Sequence, residues 1–477
     1  MTVRDKTQTA VYSPLASAEL PETAVLLMVG SADSPGLPPA RRLAFVGDGL
    51  ELGRKPSDAA EAKGAALTLV DPLVSSLHAR IARTGAGDFE LSDLASKNGT
   101  FVDGARVDGR ARLRDGALIF VGSFAAVFRV VSRRELDAIK AELVSPLGPV
   151  STTSPTLALA CDRLRRLAES EHEILLLGET GVGKEVYARA VHARSGRRGR
   201  FTAINCGAIP RDLIESELFG YRQGAHSTAH QAKAGLIEEA EGGTLFLDEI
   251  GEMTAEAQIK LLRFLQDREL TPLGSTRPRR IDVRVLAATN RISESGKTPT
   301  GLRDDIVARL GAAPVHLPPL RDRIEDLGAL ASHFLRSSPA ASFDQPAFRA
   351  MARYEWPMNV RELEKIATTA AVLAGAGRPI SLRDLPEPIA RATASERAEL
   401  TPAATATATP ALDPADGRAE ARRAARPSPT AAQIEELLRR HHGNVADVSR
   451  ELGKHRAAVW RWMKKWGIGV DKYRKPE

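Results

Sequence analysis

Ile174-Leu-Leu-Leu-Gly-Glu-Thr-Gly-Val-Gly-Lys-Glu185 is the stretch on which the fold turns. Its apolar run reads as a buried strand, and a helical pattern, Glu185–Ala193, follows the glycines. Glycines let backbone wrap closely around phosphates, and the start of a helix offers unpaired N–H groups and positive dipole. Lys184 supplies a mobile point charge for the outer phosphates. Gly178, Glu179, Thr180, Gly181, Val182, Gly183, Lys184 and Glu185 are therefore candidate nucleotide contacts. A second half of the site reads Gly242-Gly-Thr-Leu-Phe-Leu-Asp-Glu249. Here an apolar strand delivers two adjacent carboxylates at its C-terminal end, where ligands of open α/β sheets bind. Asp248 suits the orientation of a magnesium ion, and Glu249 the polarisation of an attacking water.

Outward from this point the chain falls into regimes. Residues 145–388 alternate apolar strands with amphipathic helices, the pattern of an α/β domain with a parallel sheet. Residues 22–132 break into short β-runs divided by Gly, Asp and Pro: Ala24–Val29, Arg42–Val46, Ala66–Val70, His78–Ala82, Asp88–Leu91, Ala117–Phe120 and Ala126–Val131. That is the pattern of an all-β sandwich. Residues 389–427, rich in Ala, Thr and Pro, cannot offset their ordering entropy and read as a linker; 1–21 read as a flexible tail. Helical periodicity returns over 428–477, so a 477-residue chain divides into three folded units.

Composition narrows the setting. No apolar run is long enough to span a bilayer, and the polar Met1–Ala10 offers no signal core, which argues for a cytoplasmic protein. Cys161 and Cys206 share no metal or redox spacing and read as buried thiols in a reducing compartment. Net charge is +7, yet eleven Lys and Arg against six Asp and Glu lie between Ser428 and Glu477. Most of the surplus is thus gathered at the C-terminal end, as a DNA-binding module requires.

The central region resembles the AAA+ domain of bacterial enhancer-binding proteins, the ATPases that activate sigma-54 RNA polymerase. The likeness runs through Phe201-Thr-Ala-Ile-Asn-Cys206, Glu215-Ser-Glu-Leu-Phe-Gly220, Ala287-Ala-Thr-Asn-Arg291, Leu302-Arg-Asp-Asp-Ile-Val-Ala-Arg-Leu310, Leu317-Pro-Pro-Leu-Arg-Asp-Arg323 and Trp356-Pro-Met-Asn-Val-Arg-Glu-Leu363. It implies an α/β P-loop ATPase with a helical lid that binds ATP and Mg²⁺. In that family a Glu stands at the end of the P-loop, as Glu185 does here. The resemblance also implies Asn205 as switch partner of the catalytic Glu249, Asn290 as γ-phosphate sensor and Arg361 as second sensor. Arg303 and Arg309 would be fingers reaching a neighbour's nucleotide in a homohexamer. Three departures stand out. The family's sigma-54 loop reads GAFTGA, whereas this chain has Gly224-Ala225-His226-Ser227-Thr228-Ala229; Met358 replaces a Gly, and Leu302 a Phe.

Leu52-Gly-Arg54, Val74-Ser-Ser-Leu-His-Ala79 and Ser96-Lys-Asn-Gly-Thr100 are similar in order and spacing to the forkhead-associated (FHA) domain, a reader of phosphothreonine. A phosphate dianion needs converging donors on loops over a rigid scaffold. Arg54, Ser75, Ser76, Lys97 and Asn98 are the candidates, with Ser76 standing where the family often has Arg and His78 bracing the loops. Thr430–His442, Val445–Leu452 and His455–Trp466 read as three helices with a Gly-containing turn, an all-α helix-turn-helix. They resemble the Fis-type domain, with Lys454, His455, Arg456 and Arg461 toward DNA. Together these readings predict an ATP-dependent transcription regulator controlled through phosphothreonine, with a Ser/Thr kinase or its product as partner. The alternative is a DNA-binding regulator that uses ATP for oligomerisation and ignores sigma-54.

Overall fold

The computed structural model describes residues 22–62, 65–85, 87–224, 231–292, 299–311, 314–338, 340–393 and 431–441, with Val448, Met463 and Ile468. Two compact units divide the chain at Ala403.

The first unit opens with the expected β-sandwich. One sheet runs Leu43–Phe45, Thr23–Ser31, Phe124–Val131, Leu118–Val121, Thr100–Val102, Ala105–Arg106. The other runs Ala66–Thr68, Gly49–Gly53, Ala79–Arg83, Phe89–Asp93, Arg110–Leu113. Four of these strands were not among the sequence-read runs: Gly49–Gly53, Thr100–Val102, Ala105–Arg106 and Arg110–Leu113. They are short, and the last carries Arg110 and Arg112 on its exposed side, paired with Glu90 and Asp88. Such a charged edge discourages strand addition by other chains. Between the sheets, Leu26, Met28, Ile119 and Phe128 pack on Leu50, Leu52, Ile81 and Leu91.

Thr23–Ser31 is buried along both faces from Ala24 onward. A half-buried strand alternates apolar with polar residues; Ala-Val-Leu-Leu-Met-Val does not, and the fold shows why. Val25 and Leu27 lie against Leu136 and Ile139 of the helix Arg133–Val144. That helix begins at a capping box, in which Ser132 and Glu135 satisfy each other's backbone N–H groups. Val29 turns toward the lid of the following domain.

That domain has a parallel sheet in the order Phe201–Asn205, Thr244–Asp248, Arg284–Thr289, Ile174–Leu177, Val315–His316. Helices cover both faces, so its central strands are unbroken apolar runs. The lid is built from helices Leu327–Leu335, Gln345–Arg353, Asn359–Ala374 and Glu387–Ala390 around the fully buried Trp356.

Lid and sandwich share one core. Phe101, Phe120 and Val127 of the sandwich join Leu327, Ala331, Phe348 and Leu363 of the lid in a single cluster. The Phe, Val and Leu side chains among them each contribute about 1.5–3 kcal/mol when fully buried. The Arg349 guanidinium lies over Phe101 at 4.4 Å and Phe120 at 5.2 Å. Two buried ion pairs cross the same seam: Arg42–Asp326 at 3.1 Å and Arg129–Glu325 at 3.3 Å. Burial pushes the Glu325 carboxyl up to about 7 despite the opposing pull of Arg129. Because desolvation offsets much of their attraction, such pairs add less to stability than to the choice of one docking geometry.

A polar thread also crosses the seam. Asp71 Oδ1 accepts from Leu73 N at 2.8 Å, and its Oδ2 accepts from both N and Oγ of Ser123 at 2.7 Å. The preceding Gly122 carbonyl accepts from Gln345 and, at 3.4 Å, from Arg349 of the lid.

In the second unit the helix Ala431–Arg440 buries Ile434 and Leu438, one turn apart, with Leu437 half-buried. Val448 and Met463 are also buried. Lys454, His455, Arg456 and Arg461 lie outside the described residues. No described helix is long and apolar enough to cross a membrane.

Candidate functional site

The P-loop leaves Ile174–Leu177 at the C-terminal edge of the parallel sheet and enters the helix Lys184–Arg194 through Gly183, whose φ of 102° is left-handed. Gly181 is equally constrained: φ is 82°, and a Cβ there would sit 2.2 Å from the Met358 carbonyl. Val182 points into the core and anchors the turn. The loop lines a cleft of about 420 Å³ together with Lys184, Glu185, Asn205, Asp248, Glu249 and Arg361.

The charges in this cleft are held against their inclination. Lys184 is buried, and burial lowers its pKa while Asp248 and Glu249 pull it back up. Its Nζ donates to the Gly178 and Glu179 carbonyls at 3.0 and 3.1 Å. Burial likewise raises Asp248, with Lys184 opposing. Asp248 Oδ1 accepts from Glu249 N at 2.9 Å. Glu249 itself has φ 53°, a left-handed conformation that a glutamate adopts only at a cost. A cleft that disfavours both its cation and its carboxylate gains from a ligand carrying both signs, a phosphate chain with a divalent ion. Magnesium uses one or two carboxylates and completes its shell with phosphate and water, so Asp248 beside a phosphate loop fits it.

The remaining candidates divide. Asn290 Nδ2 donates to Thr180 Oγ1 at 2.9 Å, joining the end of the strand Arg284–Thr289 to the P-loop. Asn205 lines the cleft, and its Oδ1 accepts from the N–H groups of Gly207 and Ala208 at 2.8 and 3.2 Å. Glu185 lines it too and pairs with Arg189 at 2.6 Å. Arg303 and Arg309 do not line the cleft of their own chain. Arg303 pairs with Asp305 at 2.9 Å, and Arg309 donates to the Leu265 carbonyl. Gly224 is exposed with φ 82°, while Ala225, His226, Ser227, Thr228 and Ala229 lie outside the described residues.

Glu179 plays a part that its place in the motif did not suggest. Rather than facing the cleft, it takes a two-pronged ion pair from Arg321 at 2.9 and 2.5 Å and a bond from Asn359 at 3.1 Å. The Arg321 hydrogen bonds hold its carboxyl below the usual range. Asn359, buried and left-handed at φ 57°, also donates to the Thr180 carbonyl and accepts from Leu320 N. The lid is thereby fastened over the P-loop. Met358 has φ −104° and a half-exposed side chain, so no glycine is needed there.

On the sandwich, the candidate phosphate readers meet on three adjoining loops. Arg54 N donates to Ser75 O at 2.9 Å, Lys55 N to Ser76 O at 3.0 Å, and Lys97 N to Ser75 Oγ at 3.1 Å. Asn98 Nδ2 donates to Leu73 O at 2.7 Å. His78 braces them: its Nδ1 accepts from Ser75 N at 3.0 Å, so the ring proton sits on Nε2, 3.3 Å from the Gly99 carbonyl. Arg54, Ser76, Lys97 and Asn98 are exposed, and Ser75 is half-buried.

With this geometry in view, comparison with known proteins is decisive at the level of domains. Residues 150–316 match the sigma-54 interaction domain, 50–122 the FHA domain, and 321–402 the AAA+ ATPase lid domain. The chain carries all three. Over 294 residues it is 42% identical to the transcriptional regulatory protein XylR of Pseudomonas putida, covering 58% of this chain and 52% of that one. Over 231 residues it is 46% identical to the DNA-binding transcriptional regulator NtrC of Azospirillum brasilense, covering 47% and 48%. The chain spans about half the length of the curated relatives it matches. Among solved structures, NtrX of Brucella abortus in complex with ATP is 27% identical with a TM-score of 0.46, covering 70% of this chain and 73% of that one.

His78 gives a pH-dependent prediction. Burial lowers its pKa from 6.5, while the Gly99 carbonyl, Asp93 and Asp71 oppose that shift. The stability it adds as a neutral ring is full above pH 6.5 and is lost as pH falls through its lowered folded value. The gap in denaturant midpoint between the native chain and His78→Asn should therefore narrow below pH 6.5. A gap that stays constant with pH contradicts the assignment.

Proposed function

We propose that this chain is an ATP-hydrolysing transcription regulator of the sigma-54 activator type, switched through phosphothreonine binding by its FHA domain. One observation carries the reading: Lys184, Asp248 and Glu249 converge in a single cleft at the C-terminal sheet edge, beneath a lid tied to the P-loop. Lys184 and the P-loop amides would bind and orient the phosphates, and Arg361 would reach them from the lid. Glu249 would accept a proton from the attacking water, with Asn205 positioned to hold that carboxylate before phosphate is in place. Mg²⁺ would be held by Asp248 and supply neutralising charge on the phosphates. Arg303 and Arg309, lying off their own cleft, would complete the site of a neighbouring copy in a homohexamer. The C-terminal segment would hold upstream DNA through Lys454, His455, Arg456 and Arg461. With ATP and DNA as its ligands, the protein would act in the cytoplasm.

Phosphothreonine control is favoured by the thread from the reader loops to the lid. Asp71 braces both the loop carrying Ser75 and the turn whose Gly122 carbonyl meets Gln345 and Arg349. The ligand would be a phosphothreonine segment made by a Ser/Thr kinase. Arg54→Ala should abolish binding of phosphothreonine peptides, measured by fluorescence polarisation; unaltered affinity would remove Arg54 from the phosphate-binding role.

The loop Gly224–Ala229 favours a second reading, in which ATP sets assembly and sigma-54 is not engaged. The Glu249→Gln chain distinguishes them. It should bind ATP with near-native affinity while turnover falls by about 10²-fold or more, and in the ATP-bound state it should capture sigma-54. Capture only after His226→Phe, Ser227→Thr and Thr228→Gly are added would support the second reading, and unchanged turnover would remove Glu249 from the chemistry.

A further inference from the structure

One wall of the nucleotide cleft is formed by Pro149, Val150, Ser151 and Thr152, on a segment with no helix or strand of its own. Its polar groups must find partners elsewhere, and what holds them decides how firm that wall is. The partners come from two places. Asp326, itself lining the cleft at the base of the lid helix Leu327–Leu335, accepts from Thr152 Oγ1 at 2.5 Å and from Thr153 N at 2.9 Å. The other partner is Arg42, from the FHA sandwich. Its Nη1 donates to Ser151 O at 2.6 Å and Ser151 Oγ at 3.0 Å, and its Nη2 to Thr153 Oγ1 at 3.2 Å and Asp326 Oδ1 at 3.1 Å. Only 2% of the Arg42 side chain and 3% of that of Asp326 are exposed. One guanidinium thus ties three pieces together: the sandwich, the cleft wall and the base of the lid.

We propose that Arg42 is a positioning residue of the nucleotide cleft, so that the FHA sandwich forms part of the ATPase site instead of being tethered beside it. Arg42 does not itself line the cleft. It fixes Ser151 and Thr152 against Asp326, and with them the distance between cleft wall and lid. A planar fork with donors on both Nη atoms suits this task; a lysine ammonium offers charge without the two-pronged geometry. The inference rests on reading the cleft as an ATP site. It also gives the sandwich a route to nucleotide affinity: any shift of the strand Leu43–Phe45 relative to the lid moves the Arg42 fork.

The test uses the full chain, with steady-state ATP hydrolysis and equilibrium binding of a fluorescent ATP analogue. Arg42→Ala should raise the KM and Kd for ATP by about tenfold or more while kcat stays within about twofold, the signature of lost ground-state positioning. Arg42→Lys should fall between the two, and phosphothreonine-peptide affinity should be unaltered in both. Should Arg42→Ala fail to fold, Thr153→Val carries the same test: it is isosteric, removes one acceptor of the fork and should raise KM about threefold. Native KM in the folded Arg42→Ala chain, or in Thr153→Val where that chain does not fold, overturns the proposal. A native chain that binds no ATP removes the nucleotide reading itself, a result distinct from native binding with an unmoved KM.

Discussion

An apolar strand needs cover on each face, and Thr23–Ser31 finds its second cover partly outside the sandwich, in the lid. Much of the first unit follows from that constraint. The outer face of the six-stranded sheet presents Phe101, Phe120 and Val127 to Phe348 and Ala331, so sandwich and lid have a core in common. Sharing a core brings polar groups into the seam. Arg42, Arg129 and Arg349 meet Asp326, Glu325 and the faces of Phe101 and Phe120 there, each at close range and largely out of water. Apolar area supplies the adhesion, and the buried pairs select a single orientation.

The cleft inherits that orientation. Its floor is the sheet edge that ends in Asp248 with the helix start that carries Lys184, and its roof is a lid fastened to the P-loop by Glu179, Arg321 and Asn359. One wall hangs from Arg42. Burial works against the charged states of both Lys184 and Asp248 while each favours the charge of the other, and a ligand carrying both signs would add to that mutual support. Switching by the sandwich would require no long-range wire. Asp71 braces the loop carrying Ser75 and the Gly122–Ser123 turn, and that turn touches the lid directly.

Much of this was legible in the residues. Strand, glycine loop and helix at Ile174–Glu185, and two carboxylates at Asp248–Glu249, are local signals, and the structure assembles them into one cleft. The loops that carry the candidate phosphate contacts were legible for the same reason, since Arg54, Ser75, Lys97 and Asn98 sit in short motifs, and His78 braces these loops as its position suggested. What escaped was non-local. Arg42 has no signature because its partner Asp326 lies 284 positions away. Glu179 looked like a phosphate-loop residue and serves as a latch, because Arg321 is brought to it only by the lid. The unbroken run Ala24–Val29 did hold a clue: in a two-layer sandwich it meant that a further layer had to exist.

Hydrogen exchange of the full chain, with and without a non-hydrolysable ATP analogue, tests the central claim that the sandwich is built into the nucleotide site. The account predicts slower exchange in the P-loop and lid and also within the sandwich, at the Met28 amide that donates to Arg42 O and at the Gly122–Ser123 turn. Slowing confined to the P-loop domain and lid, with the sandwich unchanged, would contradict it.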